Sequence, residues 1–188
     1  MKKILAYLII GLLIAIPVYA YVGYKETKTA VMTMTIAPLF SVSVSLNTLD
    51  FGNVQPGLWK ELKTAGGGYH NEVVCKSNDG EIWHLKIKID HALTSESKTI
   101  PLANLKWMCA YVGSKNSPYA AGTGTLANAI DYISFTTADA LVYTCGADEK
   151  NNLPNGIGAQ FNYGLSVPDT QSAGNYTAIV TYTMTETL

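Results

Sequence analysis

An all-β fold, one antiparallel sandwich of about seven to nine strands, is what this sequence predicts. Three observations carry the prediction. Apolar and polar residues alternate with period two in several separate runs. The connectors between those runs are rich in Gly, Pro, Asn and Asp, the residues of turns. Tyr is abundant, at 12 residues, Thr accompanies it, and no long stretch has a helical period.

The N-terminus stands apart from that fold. Lys2 and Lys3 are followed by the apolar run "ILAYLIIGLLIAI", then Pro17, then Val18-Tyr19-Ala20. A basic start, an apolar core and small residues at a cleavage site form the pattern of an export signal helix, cut after Ala20. The competing reading is a retained anchor, because Ile4 to Gly23 is twenty residues without a charge, long enough to span a bilayer. Membrane contact is expected only through this segment, so the remainder is exported, to the cell surface or beyond.

Composition excludes some partners. All 13 basic residues are Lys, and the net charge is −1. Removing residues 1–20 removes two Lys and leaves 11 basic against 14 acidic residues, a charge of −3. Arg supplies most bidentate contacts to phosphates and bases, so a nucleic-acid partner is not expected.

Residues 21–38 form an extension in which Ala30, Met32, Met34 and Ile36 alternate with Val31, Thr33 and Thr35. This is strand-like, and Pro38 ends it. An extra strand at this place either pairs within its own sandwich or leaves to complete the sheet of a neighbour. The sandwich itself is expected over residues 39–188.

Within it, "FSVSVSLN" sets Phe40, Val42, Val44 and Leu46 on one face. "LDFGNVQPG", Leu49 to Gly57, reads as a short strand ending in a Pro-Gly turn. Its Asp50-Phe51-Gly52 matches one kinase motif, but the accompanying kinase motifs are missing, so Asp50 reads as incidental. "VVCKSNDGEIWHLKIKID" predicts a hairpin about Asp79-Gly80. In its second arm Trp83, Leu85, Ile87 and Ile89 face the core, and His84, Lys86 and Lys88 face water. Further strands are expected over 105–112, 130–135, 141–145 and 160–167. "TLANAIDY" allows one helical turn. The closing run "YTAIVTYTMT" sets Tyr176, Ala178, Val180, Tyr182 and Met184 on one face, opposite Thr177, Ile179, Thr181, Thr183 and Thr185.

Chemistry-bearing patterns are sparse. His70, His84 and His91 have no nucleophile motif beside them, and the acids, such as Asp90, Asp148, Glu149 and Asp169, fall in loops or at strand ends. Gly122 to Thr125, "GTGT", lacks the Lys and helix of a phosphate cradle and reads as loop. No enzyme activity, cofactor or metal is therefore expected. Cys75, Cys109 and Cys145 are an odd set. One disulfide and one free thiol is the simplest reading, with Cys109 and Cys145 as the pair, and three buried free thiols are the alternative. Trp59, after the Pro-Gly turn, is the Trp expected to be exposed.

The order of these motifs resembles small prokaryotic surface proteins of the pilin type. "VSVSLNTLDFGNVQPG", the Cys75 strand and the closing "AGNYTAIVTYTMT" are similar to spore-coat-U-like secreted pilins. Trp83-His84-Leu85 and the Tyr-rich closing strand are similar to WxL-type surface domains. Two features depart from these patterns. The closing strand has Tyr182-Thr183-Met184 in place of a second Trp-x-Leu, and no Cys precedes Cys75. The resemblance implies an immunoglobulin/pilin-like sandwich that lacks a strand and is completed by a terminal strand of the next subunit. Ala30, Met32, Met34 and Ile36 would then be the donor's pegs, and the partner a head-to-tail homo-oligomeric fibre, a fimbrium-like filament. The alternative is a monomeric module binding cell-wall glycan through exposed aromatics.

Overall fold

The computed structural model describes residues 28, 30–64, 68–115, 120–128 and 131–188. The export signal and the cleavage after Ala20 expected from the sequence lie outside the described residues. The chain divides into two units, Met1–Ile36 and Ala37–Leu188. In the first, residues 30–36 form no regular strand and their side chains are exposed. The strand expected there is not formed in the single chain.

The second unit is almost entirely β. Its strands are β1 (Phe40–Val44), β2 (Trp59–Leu62), β3 (Asn71–Ser77), β4 (His84–Ile89), β5 (Leu93–Ser95) and β6 (Lys98–Ile100). They continue with β7 (Leu105–Ser114), β8 (Thr125–Leu126), β9 (Ile133–Ser134), β10 (Ala140–Thr144), β11 (Ile157–Ser166) and β12 (Val180–Thr185). One sheet runs β1-β3-β11-β7-β9, with β2 also on β11; the other runs β12-β4-β10-β8; β5 and β6 form a small hairpin. Every pairing is antiparallel.

The two sheets share one core, giving a sandwich-like arrangement. Alternation does what it predicted in β4: Trp83, Leu85, Ile87 and Ile89 are all fully buried. They meet Val73, Trp107, Phe161 and Tyr163 from the opposite sheet. The Phe161 ring on β11 and the Tyr182 ring on β12 lie 5.4 Å apart, one from each sheet. β11 is the central strand. β3 covers one half of its edge and β2 the other half, while β7 pairs along its opposite edge.

Several sequence expectations are corrected. Asp79-Gly80 does not close a hairpin. β3 has β1 and β11 on its two edges, and β4 has β10 and β12, so neither has an edge left for the other. The segment between them is instead a corner that carries the chain from one sheet to the other, with Gly80 at φ +83°. Leu49 to Val54 is not a strand. Asp50 is not incidental: its Oδ1 accepts the Gly52 N–H at 2.7 Å, closing a turn that Gly52 completes at φ +63°. Leu49, Phe51 and Val54 nevertheless pack against the core, partly buried. Of the strand predicted over 130–135, the described residues form β9, and "TLANAIDY" begins with β8; residues 129–130 lie outside the described residues. The second compact unit begins at Ala37, and Asn78 bonds to both Ala37 and Leu39 within it.

Candidate functional site

The alternating sequence of β1 determines what its outer edge presents. Ser45 N–H donates to Glu72 O at 2.8 Å, and Asn78 N–H donates to Leu39 O at 3.2 Å. The odd-numbered residues of β1 therefore bond to β3. The even ones, Phe40, Val42 and Val44, turn their N–H and C=O groups to the other side. Among the described residues no strand pairs there. β12 repeats the situation in the opposite sheet. Asp90 N–H donates to Ile179 O at 3.0 Å, and Ile179 N–H to Asp90 Oδ1 at 2.7 Å. Thr181 and Thr183 thus face β4, while Val180 and Tyr182 present their backbone groups outward.

The side chains of those same residues point between the sheets. Val42, Val44, Val180 and Tyr182 line a groove of about 1080 Å³. Its floor includes Ile89, Phe135 and Leu165 from the core. It exceeds the roughly 300–1,000 Å³ of small-molecule sites. The β1 and β12 side chains that wall it are mostly apolar, polar loop residues such as Asn47, Asp50 and Gln171 line the rest, and the walls are under-covered: Val42 is 38% exposed and Val44 36%, although both lie on the core-facing side of their strand. The inward face of the closing run is likewise only half-buried from Tyr176 to Tyr182.

A polar network fixes the groove walls. Asn71 Oδ1 accepts from the Ser45 hydroxyl at 2.8 Å and from Leu46 N–H at 3.1 Å, which ends β1. Its amide donates to the Tyr163 hydroxyl at 3.4 Å, and the Tyr163 and Tyr182 hydroxyls bond each other across the sheets. Burial pushes the Tyr182 hydroxyl up to about 12 and the Tyr163 hydroxyl up as well, so both stay neutral donors and acceptors. His70 and Glu72, close in sequence, take separate structural roles. Glu72 pairs with Lys115 at 2.9 Å, and His70 sits edge-on to the Tyr163 ring at 6.1 Å.

Other sequence candidates are placed as follows. Met32, Met34 and Ile36 are 96%, 82% and 71% exposed, and Ala30 is exposed beside them. The Cys109–Cys145 bond is not formed: Cys75, Cys109 and Cys145 are three buried free thiols. Cys109 sits within β7 and Cys145 follows β10, in opposite sheets. Burial pushes the Cys109 thiol up to about 12 and the other two thiols upward also, which keeps them protonated.

His84 is not on a wet face. It is buried between β10 and β12, with Nδ1 at 2.9 Å from Thr144 Oγ1. Trp83 and Leu85 of the Trp-x-Leu are core residues. Trp59 is 43% exposed, as expected. Its ring lies over Gly164 and meets the Tyr132 ring edge-on at 5.4 Å. Glu61 completes that patch. Lys63 chiefly, with the Trp59 and Tyr132 side chains, holds its carboxyl below the usual range against the opposing effect of burial.

The sequence reading missed the groove. Its signal was present in the two alternating runs 40–46 and 176–184, but alternation does not say whether a strand lies at an edge. No protein-family model, no curated protein and no solved structure matches this chain.

Proposed function

We propose that this protein is an exported, non-enzymatic structural subunit of the pilin-like kind, assembling into cell-surface filaments by donating a strand from one copy to the next. The observation that carries the reading is the groove. Two strand edges, β1 and β12, unpaired among the described residues, flank a largely apolar slot of about 1080 Å³. A strand laid there would satisfy backbone groups of Val42, Val44, Val180 or Tyr182 and place alternate side chains on the core. Residues 30–36 have the matching chemistry, with Ala30, Met32, Met34 and Ile36 uncovered in the single chain. Each Met or Ile buried would contribute roughly 1.5–3 kcal/mol. Donation from a terminus is head-to-tail and does not close, so it builds a filament.

Deleting Tyr21 to Ile36 behind an intact export signal tests this. The expected product is exported, folded and unable to form filaments in electron micrographs. Filaments of normal length from that variant would overturn the reading. A second reading, a glycan-binding module, is favoured by one observation, the Trp59–Tyr132–Glu61 patch on the outer face. It requires retention on wall polysaccharide that Trp59→Ala abolishes; no retention on any glycan would count against it.

A further inference from the structure

This inference rests on the strand-donation reading and concerns the joint between residues 30–36 and β1. The free edge nearest to 30–36 in the chain is that of its own β1, separated by only Ala37, Pro38 and Leu39. A hairpin at that joint would fill the groove in cis and leave nothing to donate. We infer that Ala37–Leu39 is built to forbid that hairpin and so reserves the strand for a second copy of this chain.

Register excludes the simplest turn. With Pro38 and Leu39 as a two-residue loop, Ile36 lies opposite Ser41 and Met34 opposite Ser43. Cross-strand partners share a face, so the apolar pegs would point to solvent with the serines. The turn is also wrong for its residues. Tight two-residue hairpins require positive φ at the first central position, and Pro38 is fixed near −65°.

A three-residue loop restores the useful register, with Ile36 opposite Phe40, Met34 opposite Val42 and Met32 opposite Val44. That loop places helical backbone at its first residues and left-handed backbone at its last. Ala37 precedes a proline and is pushed to extended backbone. Leu39 would have to be left-handed, which a branched side chain resists. Among the described residues other than Gly, only Glu96 has positive φ.

Asn78 then locks the extended alternative in place. Its Oδ1 accepts Leu39 N–H at 2.5 Å, its backbone N–H donates to Leu39 O at 3.2 Å, and its amide donates to Ala37 O at 3.3 Å. The three-residue loop needs the Leu39 N–H to donate back to the Ile36 carbonyl across its turn, and Asn78 Oδ1 already holds that N–H. Three independent features, Pro38, Leu39 and the Asn78 clamp, therefore oppose the same closure.

The test converts the joint into a permissive three-residue loop. The variant Pro38→Asp with Leu39→Gly keeps the loop length and supplies Gly at the left-handed position. The expected product is a folded monomer by light scattering, forming no filaments, with 30–36 protected from proteolysis. Adding Met34→Asp to that variant should lower its melting temperature, whereas Met34→Asp in dilute wild-type monomer should leave it unchanged. If the double variant fails to fold, Asn78→Ala decides, with an increased share of protease-protected monomer expected. Filament formation at the wild-type level by whichever variant folds would overturn the inference while leaving strand donation intact. Filaments from the chain lacking 21–36 would instead sink strand donation itself.

Discussion

Glu149 shows how single residues hold the loops of this protein. Its carboxylate is buried and accepts three hydrogen bonds: Thr123 N–H at 2.8 Å, the Tyr143 hydroxyl at 2.6 Å and Gly146 N–H at 2.8 Å. "GTGT", which reads as loose loop in the sequence, is thereby pinned, and Gly124 N–H donates to the same Tyr143 hydroxyl at 2.7 Å. Removing the carboxylate strands several buried donors at once. Glu149→Ala should therefore lower unfolding free energy by about 2–4 kcal/mol in denaturant melts, and Glu149→Gln by less, since one acceptor oxygen remains.

His84 gives a pH signature. Burial, with Lys86 nearby, holds its imidazole pKa below the usual value. The unfolded chain therefore binds a proton more readily than the folded one. The stability His84 contributes is complete above about pH 6.5 and is lost as pH falls from there through its folded value. The melting temperature should decline across that acidic window, and His84→Gln should flatten the decline; an unchanged slope would remove His84 as its cause.

At the level of elements, the two edge strands should be separable from the fold they border. Val44 is more than a third exposed, so a charge there sacrifices little core. Val44→Asp should cost under about 1 kcal/mol in stability yet prevent the proposed filament formation, because it would put a carboxylate against the pegs of a donated strand. An equal loss of stability and assembly would mean that β1 is simply core. What was legible in the sequence follows the same division. Period-two alternation located β1, β4 and β12 and the residues that share a face in each, since a pleated strand half-buried on one side imposes that pattern. Alternation is blind to which sheet a strand joins. Asp79-Gly80 therefore read as a hairpin, when the edges of β3 and β4 are taken by other strands. It is equally blind to centrality, so His84 was assigned to water although neighbours flank it on both sides. Short strands such as β2 and β8 left no periodic signal because they span too few residues to alternate.

For the whole molecule, the proposed strand donation would make stability a function of partner concentration. A chain lacking 21–36 has both edges and the groove but no donor, so any strand that binds only the folded form must raise its melting temperature by mass action. A synthetic peptide of residues 28–37 is the direct probe. At a free concentration about one hundred times its Kd, it should add about 2.7 kcal/mol. For a domain of roughly 150 residues, that corresponds to about 5–10 °C in melting temperature. The pegs make the effect sequence-specific. Replacing Met32 and Met34 in the peptide by Asp would force two carboxylates onto Ile89, Phe135 and their neighbours in the groove, and the shift should vanish. Backbone pairing alone would not discriminate between the two peptides, because both carry the same amides. A shift of equal size from both would therefore place the peptide on an outer edge rather than in the groove. No shift at any soluble concentration would leave the slot without its proposed occupant.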